Sequence, residues 1–158
     1  MKRLLIVSEL YYPEETSTGY FVTGIAEGLA HELSGSVEVL CAQPTYSKRG
    51  AAVADKETRA GVLIERLAAP AGDKNKLLGR AWIFFSLTLR FACRLLRKIK
   101  RGDAVIVLTN PPSLPVLVAF ICRLKGASAV LLMHDVYPDV LVPAGFTKED
   151  GLLYRVVD

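Results

Sequence analysis

Residues 104–133, AVIVLTNPPSLPVLVAFICRLKGASAVLLM, decide how this chain folds. Ala104 to Leu108 is an unbroken apolar run, as a strand buried on both faces should be. Asn110-Pro111-Pro112 closes it. Leu114 to Leu124 predicts a helix, with Pro115 tolerated in its first turn. Gly126 ends that helix, and Ala129 to Met133 is a second buried run. Strand, crossover helix and strand in this spacing make a parallel pair.

The rest of the chain repeats the theme. Leu4-Leu5-Ile6-Val7-Ser8 reads as a first buried strand. A loop with Pro13 and Gly19 leads to a helix over Tyr20 to Leu33, with Phe21, Ile25, Leu29 and Leu33 at helical spacing. Gly35 is expected to end it. Val37 to Ala42 is a second strand. After a loop with Pro44, Gly50 and a polar stretch, Val62 to Leu67 is a third. Lys76 to Lys100 is one long helix or two in series. Gly151 to Val157 begins another. Alternating strands and helices predict an α/β domain of Rossmann-like, three-layer α/β/α form with a mainly parallel sheet. Ligands in such sheets bind at the carboxyl ends of the strands, so the loops after residues 8, 108 and 134 are the places to look.

The 158 residues are 51% hydrophobic and 23% charged, which suits a single globular domain and excludes a disordered or low-complexity chain. Cys41, Cys93 and Cys122 are odd in number and form no CxxC pair. They read as free thiols serving as small core residues in a reducing cytoplasm. With only two histidines there is no zinc-ligand spacing, and no metal is expected. Met1-Lys2-Arg3 is followed by too short an apolar run for a signal peptide. Pro111, Pro112 and Pro115 interrupt the one long apolar run before it could span a membrane.

The net charge of +4 conceals a split. Between Lys74 and His134 there are eleven bases and one acid, Asp103, or +10; the remainder holds nine bases and fifteen acids, or −6. Lys76, Arg80, Arg90, Arg94, Arg97, Lys98 and Arg101 fall within an arc of roughly 100° on a helical wheel. Lys100 lies outside the arc, while Ile83 and Leu87 lie inside it. The rest of the wheel is apolar, with Trp82, Phe84 and Phe85 among its residues. A basic amphipathic helix with aromatics has the profile of an interfacial membrane helix, so Arg90, Arg94 and Arg97 are expected to face a membrane. The plainer alternative is a core helix with a solvated basic face. No nucleic-acid module fits, and none is expected as a partner.

Two further places could carry chemistry. Ser17-Thr18-Gly19 follows a parallel strand and opens a helix, where exposed N–H groups and the helix dipole favour phosphate. Neither a GxGxxG fingerprint nor a Walker A loop is present. The alternative is that Ser17 or Thr18 caps the helix and Gly19 serves packing. His134-Asp135 lies at the end of the fifth apolar run, where a histidine could donate to a sugar hydroxyl or a phosphate. Its alternative is a histidine satisfied by a backbone carbonyl.

Several segments, taken in order, resemble the N-terminal domain of retaining glycosyltransferases of family four, which have the two-domain GT-B fold. Within that family the subgroup that builds bacterial lipid-linked surface sugars is the nearest match. The segments are Leu4 to Ser8 with Tyr12-Pro13-Glu14, Pro44-Thr45-Tyr46 with Gly50, Thr109-Asn110-Pro111-Pro112, and His134-Asp135-Val136-Tyr137-Pro138-Asp139. The resemblance implies that residues 1–158 are the acceptor-side half of a GT-B fold, truncated before the nucleotide-sugar-binding domain and inactive without it. It implies transfer of a sugar from a nucleotide-sugar to a sugar or polyprenyl-linked acceptor with retention of configuration, and no cofactor or metal. Gly19, beside Thr18 where many relatives have a second glycine, matches a glycine whose N–H approaches the donor phosphate. His134 matches a histidine that contacts the donor, with Asp135 in support. Glu14 and Tyr46 line the acceptor side. The basic helix would hold the protein, cytoplasmic and peripheral, at the inner face of the membrane. Two rivals stand beside this reading: a non-catalytic acceptor subunit of a split glycosyltransferase, and a free-standing flavodoxin-like binding domain.

Overall fold

The apolar runs assemble into one sheet. The computed structural model of the chain describes residues 3–44, 53–70 and 77–133. Its elements are β1 (Arg3–Val7), α1 (Ser17–Glu32), β2 (Ser36–Ala42), β3 (Lys56–Arg59), β4 (Val62–Leu67), α2 (Leu77–Lys98), β5 (Ala104–Leu108), α3 (Ser113–Lys125) and β6 (Ser128–Leu132). The strand order is β3-β4-β2-β1-β5-β6, with every pair parallel except β3 and β4. This is the expected Rossmann-like sheet. β1 is central because it is apolar on both faces: Ile6 lies between Val39 and Ile106, and Val7 between Leu40 and Val107.

One strand escaped the sequence pattern. Lys56–Arg59 is polar and has no buried alternation, so it reads as loop. It forms an antiparallel edge strand because Ala60 and Gly61 both take positive φ, 46° and 80°, and close a tight hairpin onto β4. Gly126 ends α3 as expected, at φ 65° in the left-handed region. Gly35 does not end α1; the helix stops at Glu32, with Leu33 as its cap.

The helices divide between the two faces. α1 covers one face, packing Val22 and Ala26 against Val37, Val39, Val62 and Ile64. Leu29 and Leu33 of the expected helix face pack against this cluster, but its N-terminal half is displaced by one residue. Phe21 and Ile25 are 55% and 37% exposed, and the small Gly19, Val22 and Ala26 meet the sheet instead. α2 and α3 cover the other face, where Leu87, Phe91, Leu95 and Ile99 join Leu114, Val118 and Ile121 over Leu5, Val7, Val105 and Val107. Cys41 and Cys122 are core residues as expected, but Cys93 is exposed because it lies on the water side of α2.

An ion-pair chain ties α2 to the sheet. Arg94 pairs with Glu65 at 2.5 Å, Lys98 bridges Glu65 at 2.6 Å and Glu38 at 2.9 Å, and Arg3 joins Glu38 at 3.2 Å to Asp103. Burial pulls the Glu38 and Glu65 carboxyls upward. The hydrogen bonds and charges of Lys98 with Arg3 or Arg94 outweigh it, and both end below 4.5. In Asp103 burial is likewise outweighed by Arg3 and the Lys100 N–H, leaving it below 3.8. In the unfolded chain these groups take up protons first as the pH falls, so acid favours unfolding. The contribution is complete above about pH 5 and is lost as the pH drops through the lowered folded values. Urea midpoints measured down the acid range are expected to fall, and Glu65→Gln to flatten that fall. A variant as acid-sensitive as the parent would show that Glu65 is not part of the effect.

Candidate functional site

The chain runs from β1 through α1 to β2 and on to β4 on one side of β1, then crosses back from β4 through α2 to β5 on the other side. The strand order therefore reverses between β1 and β5, and the loops after these strands flank the crevice where such sheets take ligands. Two motif segments meet there. The Glu9 N–H of the first loop donates to the Asn110 carbonyl of the second at 3.4 Å, and the Glu9 carbonyl accepts from Ala42 at 3.0 Å. Ser8 is fully buried and its hydroxyl donates to the Leu10 carbonyl at 2.8 Å, which turns the chain out of the strand. Thr109 is buried at the matching position after β5.

Thr16, not Ser17 or Thr18, caps α1. Its hydroxyl accepts from the Gly19 N–H at 3.1 Å. The extended backbone at Thr16 places the oxygen over the first turn. The Gly19 N–H is thus already used within the loop. Gly19 matters for space: a Cβ there would lie 2.6 Å from the Glu14 carbonyl oxygen. Thr23 strengthens the same corner, donating to the Gly19 carbonyl at 2.7 Å and accepting from the Tyr12 N–H at 3.2 Å. Gly19→Ala is expected to cost about 1–3 kcal/mol of stability, because backbone must shift. Gly24→Ala, in open space on the same helix, is expected to stabilise by about 0.5–1 kcal/mol. Urea denaturation of the two variants checks the contrast; equal effects would mean that the loop yields freely.

Beside the start of α1 runs a groove of about 1120 Å³, walled by Tyr12, Thr16, Tyr20, Ile25, Glu27 and Arg59. The Arg59 guanidinium stacks 3.8 Å above the Tyr12 ring and holds Glu27 at 2.7 Å. The Glu27 hydrogen bond holds the Arg59 pKa above its ordinary value. Aromatic rings with fixed polar groups at an open groove suit a ligand with both apolar faces and hydroxyls. Glu14 lies against this groove but is itself nearly buried.

Sequence reasoning missed Arg66. Its side chain is fully buried near the carboxyl end of β4, where it donates to the carbonyls of Tyr12 at 2.8 Å and Ala54 at 2.9 Å and pairs with Glu57 at 2.5 Å. It thereby joins the loop after β1 to the chain that returns from the loop after β2. A signal was present: strand alternation puts Val62, Ile64 and Arg66 on one face, so a guanidinium falls in a core register.

Of the expected site residues, Thr18, Gly19 and Glu14 come together at the start of α1. Tyr46, His134 and Asp135 lie outside the described residues. Arg90 and Arg97 are exposed on α2 and make no ion pair among the described residues. Arg94 does not share their setting, because Glu65 draws it in against the sheet. Among the described residues no cluster of carboxylates, cysteines and histidines could hold a metal ion, and no helix is long and apolar enough to cross a membrane.

No protein-family model matches the chain. Among curated proteins it is similar to a Pseudomonas aeruginosa protein named "Probable glycosyltransferase WbjE", with 31% identity over 157 residues. The match takes in 99% of this chain and 38% of that protein, so the chain spans well under half the length of its relative. The similarity supports a glycosyltransferase family for the chain, in line with the resemblance carried by its loop motifs.

Proposed function

We propose that this chain is the acceptor-side domain of a retaining glycosyltransferase of the GT-B type, working at the inner face of a membrane on a sugar or polyprenyl-linked acceptor. The observation that carries the reading is the similarity, along 99% of the chain, to a protein named "Probable glycosyltransferase WbjE". The Rossmann-like sheet supports it, because two of the family-like segments meet at the switch point between β1 and β5. In this reading a nucleotide-sugar is supplied from a second domain, consistent with the greater length of the relative.

The roles follow from position and chemistry. The donor diphosphate would approach the start of α1, where the helix dipole favours negative charge. Since Thr16 holds the Gly19 N–H, the Thr18 N–H and hydroxyl take the phosphate contact. Gly19 contributes by letting the loop lie close. Glu14 and Tyr46 would face the acceptor. His134, with Asp135 in support, would stabilise the departing nucleotide diphosphate and the oxocarbenium-like centre electrostatically, with no covalent step on the chain.

A transfer assay tests this on the full natural polypeptide that carries the chain, with nucleotide-sugars and a polyprenyl-diphosphate-linked acceptor. Transfer with the donor's anomeric configuration kept is the expected result. An inverted product would overturn retention, and no transfer to any acceptor would overturn the function. His134→Ala is expected to lower turnover by about 100-fold or more with an unchanged thermal midpoint. An intact rate would remove His134 from the mechanism.

A further inference from the structure

The water side of α2 carries an apolar stripe that no described element covers. Leu78, Trp82, Phe85, Leu89 and Leu96 are 84%, 60%, 63%, 52% and 43% exposed. Their spacing confines them to a strip about 60° wide and about 27 Å long on an α-helix. The same helix buries Leu87, Phe91, Leu95 and Ile99 against the core. It is therefore apolar on two separate faces, and only one has a partner within the fold. A straight exposed stripe of this extent marks an interaction surface.

The charges beside the stripe identify what it meets. α2 contains no acidic residue. Arg94 and Lys98 are neutralised by Glu65 and Glu38 on the sheet side. Arg90 and Arg97, on the flank of the stripe, are exposed and make no ion pair among the described residues, and Arg101 is exposed just beyond the helix. Tertiary structure thus splits the basic arc into an inner pair that anchors the helix and an outer set that remains available. An apolar strip flanked by uncompensated guanidinium groups is complementary to a surface with an apolar interior and anionic heads. Arginine stems can lie along the apolar layer while their charges reach the headgroups, and an indole ring prefers that boundary.

We propose that α2 lies flat in an anionic lipid leaflet, with Trp82, Phe85 and Leu89 inserted and Arg90 and Arg97 on the headgroups. This deepens the membrane-side part of the function proposed above, on which it rests only for the presence of a bilayer. It assigns the contact to the apolar stripe and removes Arg94 from it.

Trp82 is the only tryptophan in the chain, so its fluorescence reports this face alone. The intact protein is mixed with vesicles of phosphatidylcholine, or of phosphatidylcholine with phosphatidylglycerol, and its sedimentation and Trp82 emission are followed. The expected result is co-sedimentation and a blue shift with the anionic vesicles, both weakened by salt. Trp82→Ser with Phe85→Ser should lower partitioning by at least about tenfold without changing the thermal midpoint, since both side chains face water. Arg90→Glu with Arg97→Glu should lower it by a similar factor and remove the salt dependence. No binding to either vesicle, equal binding to both, or binding indifferent to the Trp82 and Phe85 changes would overturn the proposal. A concentration-dependent dimer that these two changes disperse, without vesicle binding, would give the stripe to a second copy and also overturn it. No sugar enters this assay, so its failure and failure of the transfer assay are read separately.

Discussion

Phe91→Ala is expected to lower the unfolding free energy by about 3–5 kcal/mol, the usual cost of truncating a buried phenylalanine. Phe91 is fully buried on the inner face of α2, in one cluster with β1, β5 and α3. The loss has two parts, the transfer of the ring to water and the cavity that rigid neighbours leave open. A domain of this kind is stabilised by only about 5–15 kcal/mol, so the variant should lose a large share of its stability. Phe91→Leu keeps most of the volume and should cost less than about 1.5 kcal/mol. Equilibrium urea denaturation checks both, read as a shift of midpoint at constant slope. A cost below about 1 kcal/mol for the alanine variant would mean that α2 is not packed on the sheet in this orientation.

Arg66→Met should be nearly as damaging, at about 2–4 kcal/mol, for a different reason. Methionine fills the space but donates nothing. The carbonyls of Tyr12 and Ala54 lose their donor, and Glu57 loses its charge partner. The lost hydrogen bonds from a fully buried side-chain position carry most of the cost, although both carbonyls are only part-buried and water can reach them. Glu57 is about one-third exposed, so water relieves part of its loss, and the expected figure lies below that for a wholly buried pair. Arg66→Lys retains the charge but not the planar fork that spans separate acceptors, and should recover only part of the stability. If Arg66→Met proved neutral, the two loops would be held by their own backbone contacts and not by the guanidinium.

The strands and helices were legible wherever burial alone decided them. β1 and β5 are apolar runs, and a strand enclosed on both faces has no other way to look. The run at Ala129 to Met133 does form β6, but it is not the buried strand its apolarity predicts: it lies at the sheet edge, beside β5 alone, with Val130 and Leu131 about half exposed. The α3 boundaries were legible because Gly126 serves the one left-handed position at its end. β3 was not legible, because an edge strand with exposed side chains needs no hydrophobic pattern. Its existence follows from the turn at Ala60-Gly61 and the presence of β4. The face of α1 was read correctly at Leu29 and Leu33 and one residue off in its N-terminal half. Periodicity favours the large Phe21 and Ile25, whereas close approach to the sheet selects the small Gly19, Val22 and Ala26.

The candidate site divides in the same way. The loops after residues 8 and 108 were legible as places to look, because ligands bind beyond the carboxyl ends of parallel strands; that they meet follows from the strand order, which sets β1 beside β5. That Thr16 caps the helix depends on a hydroxyl distance, and Ser17 and Thr18 offer the same chemistry one or two residues later. Arg66 becomes a loop tie only once β4 lies beside the chain returning from β2.

What the amino-acid sequence by itself determined is the class of fold, the loops in which to look for a ligand, and the concentration of positive charge around α2. These follow from composition and period, which act along the chain. What only the tertiary structure decided is how each helix is rotated and which charges meet. Arg90, Arg94, Arg97 and Lys98 occupy neighbouring positions on a helical wheel and are alike as residues. Two of them face carboxylates supplied by distant strands and two face water, because a charge is neutralised by what folding brings within a few ångströms of it.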